Sequence, residues 1–172
     1  MDFLKLAKER YSVRKFIDKP LEQEVVDKIL QAGHLAPTGC NNQPQRILVL
    51  NNAESISKLK DISHCHFNAP TAMLVCYNKS ECWTRRYDGK TCGVCDASIV
   101  TTHMMLMAHT LGVGTTWVMS FNPEKMKKAY NIPENVEPVA LLVMGYPAPD
   151  ASPMSLHSEY RDIKEVVVYD KF

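Results

Sequence analysis

Three side chains near the start of the sequence could together bind an anion. The stretch ERYSVRKF, residues 9–16, carries Arg10, Ser12 and Arg14 at alternating positions. If the chain is extended here, alternate side chains project from the same face, so the two guanidinium groups and the hydroxyl converge. Guanidinium groups are planar, permanently charged donors that suit phosphate oxygens. The spacing therefore indicates a phosphate site, and the alternative interpretation is an ordinary solvated helix end with basic residues.

A second polar stretch, HLAPTGCNNQPQRI, could contact the edge of a flat heterocycle. Two prolines restrict its backbone, and the residues between them offer a hydroxyl and two amides as mixed donors and acceptors. The candidate ligands are Pro37, Thr38, Asn41 and Gln43. A simple turn between a helix and a strand is the alternative interpretation.

A third stretch, LGVGTTWVMSF at residues 111–121, connects a predicted helix to a predicted strand. Gly112 can end the helix, and Gly114 permits another part of the backbone to approach closely. Taken alone, this pattern is also typical of an ordinary connection in which Trp117 fills the core.

The pair Cys92 and Cys95 in TCGVC has the spacing of a redox motif and competes with the first interpretation. A thioredoxin-like context requires a strand directly before it, but the preceding residues 78–92 are polar and irregular. A second such pair for zinc is absent from the sequence, so we expect structural thiols and no metal site.

Composition excludes several classes of function. The chain has 172 residues, a net charge of +1 and a pI near 7.6, so it has no general attraction for nucleic acid or membranes. No apolar run is long enough to span a bilayer, and the charged N-terminus does not resemble a signal peptide. Six cysteines at irregular spacing fit a reducing compartment. We expect one cytoplasmic domain over residues 1–172.

The elements that must position these residues alternate along the chain. Apolar periodicity predicts helices over 2–10, 21–36, 53–61, 94–111 and 123–130, and strands over 46–51, 71–77, 115–119 and 136–146. Val13 and Phe16 should point into the protein. Prolines make 147–157 an extended arm, and the pattern KEVVVYDKF predicts a strand at 164–172 that pairs with another subunit's sheet.

Together these motifs resemble the nitroreductase family of FMN-dependent oxidoreductases, specifically its compact single-domain members. ERYSVRKF resembles the family's Arg-x-Ser-x-Arg/Lys, and APTGCNNQP resembles its Ala-Pro-Ser/Thr-x-x-Asn-x-Gln-Pro. DASIVTTHMMLMAHTLGVGTTWV resembles its central helix and glycine exit, and LHSEYRDIKEVV its basic C-terminal motif. The resemblance implies an α+β fold with a central, mostly antiparallel sheet flanked by helices. It also implies a homodimer in which residues 147–172 form an exchanged arm that adds a strand to the partner.

The resemblance also assigns roles to individual residues. The implied FMN-binding residues are Arg10, Tyr11, Ser12, Arg14, Pro37, Thr38, Asn41, Gln43, Trp117, Met119, Ser120 and Arg161. Arg10, Ser12 and Arg161 would bind the phosphate, and Arg14 would tune the flavin by lying beside N1 and O2. Pro37, Thr38 and Asn41 would come from the second subunit, and Gln43 shares their loop. Trp117, Met119 and Ser120 would lie near N5 and O4 of the flavin. Tyr160 replaces a cation frequent in the family, for which His157 or Lys15 could compensate.

The implied reaction passes a hydride from NADH or NADPH through flavin N5 to nitroaromatic, quinone or related electrophilic acceptors. No catalytic side chain is needed, and the lack of GxGxxG after a strand indicates that the nicotinamide is a transient visitor. Residues 78–92 are a candidate lid in which Arg85 and Arg86 would meet a nicotinamide phosphate. The alternative function is a flavin-binding carrier, sensor or flavin-processing protein without turnover of NAD(P)H.

Overall fold

One antiparallel sheet of four strands organises the computed structural model, which describes residues 2–172. The strands are Gln45–Leu50 (β1), Thr71–Asn78 (β2), Gly114–Val118 (β3) and Val136–Gly145 (β4). They lie in the order β1-β2-β4-β3, and every neighbouring pair is antiparallel. The inner strands β2 and β4 are buried along almost their whole length, which explains their continuous rather than alternating apolar sequence. All four predicted strands are confirmed.

Helices cover both faces of this sheet. They are Phe3–Glu9 (α1), Gln23–His34 (α2), Ala53–Lys58 (α3), Gly93–Thr110 (α4), Pro123–Ala129 (α5) and Ile163–Val166 (α6). The first five match the predicted helices, and α3 continues as a short 3-10 turn. The α+β class is therefore confirmed. Among the described residues, no helix is both long and apolar enough to cross a bilayer.

Two apolar cores hold these layers together, one on each face of the sheet. On the first face, Met73 and Leu142 of the inner strands pack with Ile29 of α2 and Met104 of α4. On the second face, the neighbouring strand residues, such as Leu74, pack against α3 and α5. Adjacent residues in a strand point to opposite faces, so the same two strands supply both cores.

The C-terminal segment differs from its predicted strand. The backbone of Ile163–Val166 is helical, because the Asp162 carboxylate accepts a hydrogen bond from the backbone N–H of Lys164 and starts a helical turn. Val167 is extended, but no strand of the described chain pairs with it. A β-rich sequence needs a neighbouring strand to form a ladder, and within one subunit this segment has none. The predicted strand is therefore wrong at residues 164–166, whereas its pairing with another subunit's sheet stays a prediction.

Candidate functional site

The three anion-binding candidates line one cavity of about 310 Å³ on the protein surface. Its walls come from the end of α1, the extended segment after it, and the arm that follows the last strand. The lining residues are Ala7, Arg10, Tyr11, Ser12, Arg14, Met154, Leu156, His157 and Tyr160. The predicted convergence of Arg10, Ser12 and Arg14 is confirmed, whereas their role in binding phosphate stays a prediction.

Val13 fixes the direction in which the flanking side chains point. Its N–H donates to the Thr115 carbonyl at 2.9 Å, and its own carbonyl accepts from the Thr116 hydroxyl at 2.6 Å. These bonds attach the segment to the outer edge of β3, where the Val13 side chain is only 2 % exposed. Since Val13 points inward, its neighbours Ser12 and Arg14 must face the cavity side.

Gly114 makes this close attachment possible. A Cβ atom at Gly114 would lie 2.6–2.9 Å from three carbon atoms of Val13, closer than carbon atoms pack. Glycine is therefore required at position 114 to leave room for Val13, as the sequence predicted. Gly112 has a different role, because its φ of +73° ends α4 in the left-handed conformation.

The cavity is electrically suited to an anion. None of its lining residues is an aspartate or glutamate, and neither Arg10 nor Arg14 forms a salt bridge within residues 2–172. Lys15 behaves differently, because its ammonium binds the Asp150 carboxylate and lowers the pKa of that group. Two guanidinium charges therefore face the cavity without a neutralising carboxylate, and the nearby lysine charge is already compensated.

Two contacts restrain the Arg14 side chain. Its guanidinium donates to the Ser12 carbonyl at 3.1 Å, and its guanidinium carbon lies 5.9 Å from the centre of the Phe67 ring. An aromatic face attracts a cation, so Phe67 restrains where the charge sits. Phe67 itself has a left-handed φ of +50°. Nothing in the sequence pattern indicated this residue.

The C-terminal arm supplies one of the two proposed compensating groups. The His157 ring lies against Tyr11, with 6.2 Å between ring centres, and His157 Nε2 is 3.1 Å from the Lys8 carbonyl oxygen. The Tyr11 hydroxyl donates to the carbonyl of Ala151, which ties the arm to the same segment. Arg161 is exposed and does not line the cavity, whereas Tyr160 does. The structure thus brings His157 to the site but not Arg161.

The candidates at the end of β3, Trp117, Met119 and Ser120, do not line the cavity. Trp117 is half-buried against the first core, whereas Met119 is 66 % exposed. The carbonyl of Ser120 accepts a hydrogen bond from the buried Ser63 hydroxyl at 2.6 Å. Ser63, which sequence reasoning missed, therefore fixes the backbone where the strand ends.

The loop from residue 37 to residue 43 lies elsewhere in the subunit. Its candidates Pro37, Thr38, Asn41 and Gln43 do not line the cavity of their own chain. The Thr38 hydroxyl accepts from the Gln43 N–H at 3.0 Å, and Gln43 also donates from its side chain to the Asn41 carbonyl at 3.3 Å. This placement is compatible with the expectation that the loop serves the site of another subunit.

The candidate lid is an ordered hairpin. Thr84 pairs with Thr91 as an isolated antiparallel bridge, and the Arg85 N–H donates to the Lys90 carbonyl. The guanidinium of Arg85 binds Asp88 through two nitrogens, which raises the arginine pKa and lowers that of the carboxyl. Arg86 instead stacks on the exposed Tyr87 ring at 5.1 Å. Of the two predicted cations, only Arg86 keeps its charge uncompensated by a carboxylate within the described chain.

Cys92 is unsuited to redox chemistry. Burial and a hydrogen bond from its thiol to the Asp96 carboxylate raise the pKa of Cys92 to about 11. A thiol acts as a nucleophile only when ionised, so this one stays protonated near neutral pH. The redox interpretation of the Cys92–Cys95 pair has no support in this geometry, and all six cysteines carry free thiols.

Known proteins resemble this chain both in sequence and in fold. A sequence model of the nitroreductase family matches residues 7–75 and 67–146. A Methanothermobacter thermautotrophicus protein, provisionally named NADH dehydrogenase/NAD(P)H nitroreductase, is 32% identical over 155 residues, covering 86% of this chain and 78% of that protein. The crystal structure of a nitroreductase family protein from Clostridium difficile 630 has a TM-score of 0.94 at 40% identity and covers 100% of both chains. A provisionally named nitroreductase from Desulfovibrio desulfuricans, solved in complex with FMN, has a TM-score of 0.78 at 25% identity over 100% of this chain and 98% of its own.

Proposed function

Because this chain belongs to the nitroreductase family, we propose that it is an FMN-dependent oxidoreductase that takes its electrons from NADH or NADPH. The acceptors would be nitroaromatics, quinones or related electrophiles. Two relatives support the cofactors: the Desulfovibrio protein was solved with FMN, and the name of the Methanothermobacter protein includes NAD(P)H.

One observation of this chain carries the proposal. Arg10, Ser12 and Arg14 line a single cavity that has no acidic side chain in its wall. A phosphate ester needs hydrogen-bond donors and positive charge, and it is repelled by carboxylates. The residues present therefore fit the phosphate end of FMN.

Each residue has a distinct task in this proposal. Bound FMN would supply the hydride-transfer chemistry at its N5 atom. Arg10 and Ser12 would hold the phosphate, and the His157 ring, whose Nε2 donates to the Lys8 carbonyl, would complete the same wall. Arg14 would place a permanent positive charge beside the flavin ring, which favours the negatively charged reduced state. The Met119–Ser120 backbone, held by the Ser63 hydroxyl, would orient the ring edge.

We further propose that residues 1–172 form one FMN-binding domain that works as a homodimer, with 147–172 as the exchanged arm. Large apolar side chains are exposed in the single chain, including Leu4 at 78 % and Val94 at 52 %, as well as Tyr169 at 83 %. Residues 160–172 form no hydrogen bond with residues 2–155. Apolar surface of this extent is typical of a surface that another protein covers.

The sheet has two outer edges, on β1 and on β3, to which the partner's arm could add a strand. The outer edge of β3 is bridged by Ser12, which pairs with Thr115 in parallel. Among the described residues, no strand pairs with the outer edge of β1, and the outer edge of β3 is paired at this one bridge alone. Deleting residues 147–172 should therefore give aggregates or a monomer without FMN, as measured by light scattering and absorbance. A stable monomer that retains FMN would contradict the dimer proposal.

The function is tested by the colour of the purified protein. We expect the protein to be yellow, to bleach when NADH or NADPH is added without air, and to recover its colour when a quinone or nitroaromatic follows. A yellow protein that no nicotinamide bleaches would instead indicate a flavin carrier or sensor. A protein that is colourless and does not take up added FMN would refute the proposal altogether.

A further inference from the structure

Asp96, in the first turn of α4, is a buried carboxylate that the proposed reaction does not use. It is 2 % exposed, yet it forms no salt bridge with any cation of residues 2–172. A buried charge of this kind is costly unless hydrogen bonds satisfy it. The N-terminal end of a helix also favours a negative charge, so α4 itself offsets part of this cost.

Two hydrogen bonds show where this carboxylate acts. One oxygen accepts the backbone N–H of Gly39 at 2.9 Å, and the other accepts the Cys92 thiol at 2.9 Å. Gly39 belongs to the loop at residues 37–43, which is far from Asp96 in sequence. A Cβ atom at Gly39 would lie 2.6 Å from the Cys92 sulfur and 3.0 Å from Trp83, so the loop is packed directly onto the start of α4.

The loop needs such an external anchor. Cys40, Asn41 and Gln43 have φ values of +50°, +56° and +52°, in the left-handed region that non-glycine residues seldom adopt. Strained backbone of this kind persists only where surrounding contacts hold it. The side-chain hydrogen bonds that otherwise join the loop to its surroundings are exposed: the Asn42 amide donates to the Glu81 carbonyl at 3.1 Å, and the Arg46 guanidinium donates to the Gln43 carbonyl at 3.5 Å. Asp96 is therefore the buried, charged anchor of the loop.

We propose that Asp96 is a positioning residue for flavin binding: its carboxylate holds the 37–43 loop, through Gly39, in the conformation that completes the partner's FMN site. This inference rests on the proposed function, because the loop is expected to contact FMN. Asp96 touches no cofactor itself. Its effect should appear in the affinity for FMN and not in the chemistry of the ring.

The test compares substitutions of Asp96 in the full-length protein. In Asp96→Ala the amides of residues 39–43 should exchange hydrogen faster, and FMN should bind about 10- to 100-fold more weakly, as expected for the loss of a charge-assisted hydrogen bond. The midpoint potential of the bound flavin should stay unchanged. Asp96→Asn keeps an acceptor for the Gly39 N–H, so it should return the affinity to within about tenfold of wild type.

Two further variants keep the result interpretable. Thr102→Ala removes a hydroxyl that bonds to the Ser98 carbonyl on the same helix, remote from the loop, and should leave loop exchange and FMN affinity unchanged. Asp96→Ser keeps a small polar side chain that is too short to accept from both donors, so it provides the test if the alanine variant does not fold.

Different outcomes separate the two proposals. If loop exchange stays at the wild-type rate in Asp96→Ala and Asp96→Ser, or rises without loss of FMN affinity, the positioning role is wrong while the proposed function stands. If the wild-type protein itself does not bind FMN, the proposed function fails and this inference fails with it.

Discussion

Replacing Gly114 with alanine should distort the proposed FMN site, although Gly114 contacts Val13 and not a residue that lines the cavity. The new Cβ atom would lie 2.6 Å from Cγ2, 2.8 Å from Cβ and 2.9 Å from Cγ1 of Val13. Val13 cannot rotate away, because all three of its branch atoms are involved and its side chain is buried. The segment must therefore move by some tenths of an ångström, and overpacking of this kind costs about 1–3 kcal/mol.

The consequence for binding follows from the position of Val13 between Ser12 and Arg14. When Val13 shifts outward, both neighbours leave the geometry in which they face the cavity. We expect FMN affinity to fall by about tenfold or more, which corresponds to the partial loss of one charge-assisted contact. The measurement pairs urea unfolding of the FMN-free protein with titration of FMN by flavin fluorescence.

Gly112→Ala provides the matched control. Its φ of +73° is strained for alanine and should cost about 1–2 kcal/mol of stability. Nothing lies within 4 Å of a Cβ atom at this position, so the segment that carries Arg14 should not move. Both variants should lose stability, and only Gly114→Ala should lose FMN. Equal loss of FMN in both variants, or none in Gly114→Ala, would refute this reasoning.

Three other expectations can be tested with single substitutions. Arg14→Ala should weaken FMN binding and lower the midpoint potential, whereas Arg10→Ala should weaken binding alone; equal potentials in the two variants would count against a tuning role for Arg14. Arg86→Ala should raise KM for NAD(P)H more than Arg85→Ala, because Asp88 already binds Arg85; identical kinetics in both would reject the lid hypothesis. The raised pKa of Cys92, about 11 against 9.0, means that the folded chain keeps a proton that the unfolded chain releases. Stability should therefore fall above pH 9, and alkylation of this thiol should stay slow until pH approaches 11, with exposed Cys95 as internal reference; rapid alkylation of both at pH 8 would disprove the assignment.

Local patterns predicted most of the helices and strands, and they predicted that Arg10, Ser12 and Arg14 converge. The alternation of Arg10, Ser12 and Arg14 is a period of two, and extended backbone converts that period directly into a shared face. The roles of Gly112 and Gly114 could also be predicted, because ending a helix and allowing close approach of another segment depend on glycine itself.

Long-range pairing could not be read from the sequence. The Asp96 carboxylate accepts a hydrogen bond from the Gly39 N–H, 57 residues away in sequence. Almost every residue has a backbone N–H, so the residue type does not reveal such a partner. Phe67 under Arg14 and Ser63 behind Ser120 are contacts of the same kind. Nor could the three consecutive valines of the tail show that their strand partner is missing from their own subunit, where a capping aspartate starts a helix instead.

The most direct test of the account compares FMN with riboflavin, which lacks the phosphate. If Arg10, Ser12 and Arg14 bind that phosphate, the wild-type protein should hold FMN at least about a hundredfold more tightly than riboflavin, because two charge-assisted contacts are lost together. Arg10→Ala should shrink this ratio by weakening FMN alone. Equal affinity of the wild-type protein for the two flavins would contradict the central claim.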